Sequence, residues 1–141
     1  MKDYNKLLEK AKSLATLAHK DQKRWGGEPY IIHPEAVANS VSNIKSKIVA
    51  WLHDTVEDTD ATLDLLLGNG FPKEIVDAVD SVSKRNDETY LDFILRAKEN
   101  RIGRTIKIAD INHNLSCSGK MSKSMRDKYL LAKYILLTFE E

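Results

Sequence analysis

Apolar residues recur every three and four positions along most of the chain, the spacing of one face of an α-helix. From about Tyr4 to Lys20 they are Leu7, Leu8, Ala11, Leu14, Ala15 and Ala18. Gly26-Gly27-Glu28-Pro29 then breaks the pattern, and residues 21–32 are predicted to form a loop. Pro34 suits the first turn of a second helix through about Ile44, with Val37, Ala38 and Val41 inward. Ile48 to Val56 is an almost continuous apolar run. Alone it fits a buried strand or a buried helix, and the periodicity on either side favours helix. Asp60 is a candidate N-cap for a helix through Leu67, stopped by Gly68-Asn69-Gly70. Pro72 opens the next, carrying Ile75, Val76, Val79 and Val82, and the polar stretch 84–87 reads as a loop. Helical spacing returns over Tyr90 to Lys98 and over Ile102 to Leu115, with Gly119 ending that region. A last helix from Ser122 to Phe139 turns Met125, Tyr129, Leu130, Ala132, Ile135 and Leu136 largely inward. The expectation is an all-α fold, a single compact helical bundle of about seven to eight helices over residues 1–141.

Composition narrows the function classes. The chain of 141 residues carries 42% apolar and 30% charged residues, an ordinary balance for one globular domain. A formal charge of +1 is not the basic excess of a nucleic-acid binder, although local charge could still hold a small anion. Cys117 is the only cysteine, which rules out an internal disulfide and suits a reducing compartment. The N-terminus has no apolar signal-peptide core, and no window reaches the roughly 18 apolar residues of a membrane helix. A cytoplasmic protein with neither nucleic acid nor membrane as a partner is expected. Oligomeric state is not legible.

The chemistry concentrates at His53-Asp54 and, after two residues, Glu57-Asp58. An imidazole and a carboxylate inside an apolar run are costly to desolvate unless something compensates them, and a divalent cation does so naturally. On a continuous helix Glu57 would lie one turn beyond His53, and Asp58 one turn beyond Asp54. A second cluster, Lys107, Asp110 and Asn114, is spaced by three and four and shares one helix face.

These segments resemble a known family. His33, His53-Asp54 and Asp110 follow the ordered H…HD…D signature of the HD-domain phosphohydrolases. The likeness extends to the RelA/SpoT-type hydrolases of guanosine tetraphosphate and pentaphosphate, including the small stand-alone alarmone hydrolases. It is carried by Ala18-His19-Lys20-Asp21-Gln22-Lys23-Arg24, by Gly27-Glu28-Pro29-Tyr30-Ile31-Ile32-His33-Pro34, by Leu52-His53-Asp54-Thr55-Val56-Glu57-Asp58-Thr59, by Val82-Ser83-Lys84, and by the run from Ile106 to Asn114. The resemblance implies one metal ion, usually manganese, bound by His33, His53, Asp54 and Asp110. It implies that Glu57 and Asp58 orient the attacking water and move its proton. It implies that Arg24 lies against the guanine ring and that Asn114 reads the ribose. Lys84 and Lys107 are candidate phosphate contacts, and Tyr129 a candidate nucleotide contact. His19 and His113 are structural or stand behind the ligands.

The implied reaction removes the 3′-pyrophosphate of the alarmone as pyrophosphate, leaving GDP or GTP. The chain has no room for the synthetase or regulatory domains of long family members, so degradation without synthesis is expected. Three departures from the family pattern fall on the side that chooses the nucleotide: Trp25 after the arginine, Ile111-Asn112 after the aspartate, and Cys117 beyond Asn114. Trp25 is a candidate to stack on a base or cover the pocket mouth. A related hydrolase of another nucleotide, such as NADPH or a deoxynucleotide, and a catalytically silent nucleotide-binding HD domain are the alternatives.

Overall fold

In a computed structural model the described residues, 3–117 and 121–138, form nine helical segments and no strand. They are α1 (Tyr4–Ala18), α2 (Ile32–Asn39), α3 (Ile44–Leu52), α4 (Thr55–Asp58), α5 (Leu63–Gly68), α6 (Lys73–Ser81), α7 (Tyr90–Glu99), α8 (Arg101–Ser116) and α9 (Lys123–Leu137). The all-α expectation holds among these residues, and the single-turn α4 takes the number above seven or eight. Gly119 and Phe139, read above as helix ends, lie outside the described residues.

Helix α3 is the centre. Ile48, Val49, Ala50, Trp51 and Leu52 are all buried, and the helix packs against α1, α2, α6 and α8. A helix apolar on every side has to be surrounded in this way, which is why its sequence reads as an unbroken apolar run. The surrounding helices each bury one face: Leu7, Ala11 and Ala15 on α1, Ile75, Val76 and Val79 on α6, Phe93, Ile94 and Ala97 on α7.

Several boundaries differ from the sequence-based ones. Helix α2 stops at Asn39 rather than near Ile44, because Asn43 caps a new helix by accepting from Ser46 N–H at 2.9 Å. Thr62, not Asp60, caps α5, its hydroxyl accepting from Leu65 N–H at 3.1 Å. On α9 Leu130 faces outward, 45% exposed, and Ala132 and Leu136 make the buried stripe.

The largest departure is at His53-Asp54. The expected continuous helix is broken there into α3 and α4. His53 Nδ1 donates to Ala50 O at 2.6 Å and Thr55 Oγ1 donates to Leu52 O at 2.7 Å. Both carbonyls would otherwise accept from the next helical turn. Side chains that compete for backbone acceptors interrupt a helix. Glu57 and Asp58 thus stand on their own short turn instead of in line with the core helix.

Between α1 and α2 the chain forms a narrow loop. Arg24 N–H donates to Glu28 O at 2.8 Å, Gly27 N–H to Arg24 O at 3.0 Å and Tyr30 N–H to Gln22 O at 2.9 Å. Gly27 turns the corner with φ +90°, a conformation that L side chains avoid.

Gly103 brings α8 onto α6. A Cβ at this position would run into Ser81 Oγ and lie 3.1 Å from Ser81 Cβ. Gly103→Ala is expected to lower the unfolding free energy by about 1–3 kcal/mol in urea denaturation, despite the better helix propensity of alanine. Ser81→Ala should recover part of that loss.

Candidate metal centre

Three elements converge on one point. Helix α2 supplies His33, the break between α3 and α4 supplies His53 and Asp54, and α8 supplies Asp110. One donor atom from each of the four lies within 4.8 Å of all the others. His33 Nε2 is 2.7 Å from Asp110 Oδ1 and 3.6 Å from Asp54 Oδ2. His53 Nε2 is 3.0 Å from Asp54 Oδ2, 3.4 Å from Asp110 Oδ1 and 3.3 Å from His33 Nε2. A cation with bonds of roughly 2.1 Å holds neighbouring ligands at about 3 Å, so this spacing fits one ion among the four.

The tautomers fit as well. His53 Nδ1 carries its proton toward Ala50 O, which leaves Nε2 a lone pair facing inward. His33 Nδ1 meets His113 Nδ1 at 2.7 Å, and a proton between them on His33 frees its Nε2 in the same sense. His113 Nε2 in turn stands 3.6 Å from Cys117 Sγ. The histidine behind the ligand is thereby braced by the end of its own helix.

Charge in the pocket is balanced tightly. Burial opposes ionisation of Asp54, but the neighbouring His53 outweighs it and holds the carboxyl at about 2. Burial opposes ionisation of Asp110 too, and Lys107, His33 and His53 together hold it well below the usual carboxylate range. Lys107 Nζ donates to Asp110 Oδ2 at 2.7 Å and stays cationic despite its burial. Without a metal, burial also opposes a charge on His53, yet Asp54 and Asp110 pull its pKa well above the ordinary value. A divalent ion would expel that proton.

The acid pair lines a cavity of about 220 Å³ together with His33, Asp54 and Asp110. Burial, then the charges of Asp54 and Glu57, push Asp58 up to about 6. Burial also raises Glu57, against a 2.6 Å bond from Lys84 N–H that favours its charged form. Arg24, Trp25, Lys107, Asn114 and Tyr129 line the same cavity. Arg24 Nη2 donates to Asn114 Oδ1 at 3.1 Å, and its guanidinium lies 5.3 Å from the centre of the Trp25 ring. Trp25 is 46% exposed at the tip of its loop.

Lys84 does not line this cavity. Its ammonium turns to Arg85 O at 3.3 Å, and its contribution is the backbone N–H on Glu57. Tyr30 lies within the segment Gly27 to Pro34 that carries the family likeness. Its hydroxyl donates to Asp54 Oδ2 at 2.7 Å, and its place one helical turn before His33 was the available signal. Gln22 joins two segments: its Oε1 accepts from His19 Nδ1 at 2.7 Å and its Nε2 donates to Asp58 O at 2.8 Å. A larger groove of about 570 Å³ between α1 and α5 is lined mainly by leucines, alanines and exposed polar side chains. The small cavity, not the large groove, collects the buried ionisable groups that mark functional sites.

No family model matches the chain. It is 32% identical over 142 residues to the bifunctional (p)ppGpp synthase/hydrolase SpoT of Escherichia coli strain K12, covering 88% of this chain and 20% of that protein. It is 35% identical over 122 residues to a probable GTP pyrophosphokinase of Mycobacterium leprae, covering 77% and 15%. It is 32% identical over 128 residues to the guanosine-3′,5′-bis(diphosphate) 3′-pyrophosphohydrolase of Haemophilus influenzae, covering 80% and 19%. The chain spans a fifth or less of the length of these relatives. A solved structure described as a metazoan ortholog of SpoT that hydrolyzes ppGpp superposes with a TM-score of 0.74 at 22% identity, covering 92% of this chain and 83% of that one. The two share an all-α fold, and the resemblance to RelA/SpoT-type proteins extends over most of this chain.

Adding a divalent cation should stabilise the folded chain by about 2.7 kcal/mol at a hundredfold excess over its Kd. Thermal melts with Mn²⁺ and with EDTA measure this, and Asp110→Ala should abolish the difference.

Proposed function

We propose that this chain is a manganese-dependent guanosine-3′,5′-bis(diphosphate) 3′-pyrophosphohydrolase, releasing pyrophosphate from (p)ppGpp and leaving GDP or GTP. The observation that carries the reading is a four-donor cluster of which His33, Asp54 and Asp110 line the same cavity as the acid pair Glu57-Asp58. Relatives named for this hydrolysis support it over most of the chain's length. His33, His53, Asp54 and Asp110 would hold the ion. Bound there, a divalent cation lowers the pKa of water and offsets phosphoryl charge.

The chain's own residues do the rest. Asp58 accepts the proton of the attacking water, with Glu57 orienting that water beside it, and the proton is then returned to the departing ribose oxygen. Lys107 stands at the cavity wall as a fixed positive charge for the phosphoryl oxygens. Tyr30 keeps Asp54 in its inward rotamer. Drug-sized ligands fill cavities of about 300 Å³ or more. The 220 Å³ here therefore admits the pyrophosphate end and leaves the base at the mouth. There Arg24 and Trp25 present a cation and a ring face, and both can stack on a purine. Asn114, tied to Arg24 and Asp110, reads the ribose between them. The whole of this function is read as belonging to one domain over residues 1–141.

Incubation of the chain with Mn²⁺ and guanosine tetraphosphate should release pyrophosphate, and Asp54→Ala should lose both turnover and Mn²⁺ binding. Turnover that persists in Asp54→Ala would sink the ligand assignment. Faster turnover of NADPH or a deoxynucleotide in a parallel panel would move the substrate elsewhere.

The pH dependence follows from Asp58. A base with a folded pKa of about 6 works only above it, so kcat/KM should rise with pH through about 6 and then level off, with the rise displaced to lower pH when a cation is bound. Asp58→Asn should remove most of the rate. The stability effect has the opposite sense. The folded state binds this proton more tightly than the unfolded chain, so Asp58 costs stability as pH rises from about 4 to about 6. Asp58→Asn should flatten that decline in the metal-free protein.

A further inference from the structure

The acid Glu57 is held from outside its own short helix. Its Oε1 accepts a 2.6 Å bond from Lys84 N–H in the loop between α6 and α7. That N–H and the Ser83 carbonyl belong to one peptide unit. The unit is planar and trans, so the two groups point in opposite directions. Arg96, on α7, donates Nη2 to Ser83 O at 2.8 Å. The 83–84 peptide plane is therefore gripped at both ends, by a guanidinium on its oxygen and a carboxylate on its hydrogen. Rotating the plane would break both bonds and set a carbonyl oxygen against Glu57.

The same guanidinium secures the loop on either side. Nη1 donates to Asp80 O at 2.7 Å, while Nε and Nη2 donate to the two oxygens of Glu88 at 2.8 and 2.9 Å. Glu88 also accepts from Arg85 N–H at 3.1 Å. The Arg96 and Glu88 side chains are only 22% and 11% exposed. A planar fork of five N–H donors can serve three carbonyl and carboxylate partners at once, whereas a lysine ammonium cannot reproduce that geometry.

We propose that Arg96, supported by Glu88, is a positioning residue for Glu57, acting through the Ser83–Lys84 peptide plane. The proposal rests on Glu57 serving the hydrolysis described above. Arg96 touches neither the metal ligands nor the cavity. Its effect reaches the reaction only as the direction in which one carboxylate stands.

Two measurements on the full chain test it. The first does not depend on turnover. A short bond to a carboxylate moves the Lys84 amide proton downfield and slows its exchange with solvent. In Arg96→Lys that resonance should move upfield, as it does in Glu57→Ala, while the melting transition stays cooperative. Glu88→Gln, a milder change, should move it the same way by less. The second is kinetic. Arg96→Lys should lower kcat on guanosine tetraphosphate on the order of 10- to 100-fold while KM stays within about twofold. Mn²⁺ affinity should be unchanged. Placed on Glu57→Ala, Arg96→Lys should cost nothing further. A Lys84 amide that does not move, or losses that multiply in the double variant, overturn the proposal. A parent chain that hydrolyses no guanosine tetraphosphate overturns the functional reading instead, and the amide resonance still decides the positioning.

Discussion

Two carboxylates and two imidazoles share one largely buried pocket, and the need to neutralise that pocket governs the rest of the molecule. Carboxylates this close repel one another and lose their hydration, so positive charge has to be supplied beside them. Lys107 supplies part of it from α8, and a proton on His53 or a bound cation supplies the rest. The helices are arranged to make this possible. Helix α3 fills the core so that its end presents His53 and Asp54, α2 brings His33 across it, and Gly103 lets α8 lie close enough to deliver Asp110.

A layer of braces surrounds the pocket. His113 stands behind His33, the Ala50 carbonyl behind His53, and Tyr30 against Asp54. Each fixes a tautomer or a rotamer; His113 and Tyr30 come from a different stretch of chain from the group they hold, while Ala50 lies one turn before His53. The acid pair is treated in the same way, with Gln22 on the backbone of Asp58 and Lys84 on the carboxylate of Glu57. The donor cluster and the acid pair thus stand side by side while resting on separate supports.

How much of this the sequence carried depends on the kind of information. The four clustered residues and the acid pair were legible because histidines and acids within apolar runs demand compensation, and their order matched a known signature. The all-α class was legible from period alone. The break at His53-Asp54 was not, because it arises when His53 and Thr55 side chains compete with the backbone for Ala50 and Leu52 carbonyls. Helical spacing assumes such competition away. The part played by the Lys84 backbone was not legible for a related reason. A lysine in a motif suggests its ammonium, and its amide proton belongs to every residue alike, so no residue type announces it. Helical spacing turns Leu130 inward, yet both it and Leu131 are exposed, because packing selects the face of Ala132 and Leu136.

The loop from Gln22 to Tyr30 is closed by its own backbone bonds and by a glycine at its corner. Arg24 and Trp25 ride on its tip, while the four clustered donors ride on helices and on the turn after α3. On the function proposed above, the loop tip meets the base, while α8 serves both the donor cluster, through Asp110, and the ribose, through Asn114. Lengthening the arm or exchanging its tip leaves the pocket's charge balance intact. The loop tip is thus the part of the site that can be exchanged without touching any of the four clustered donors.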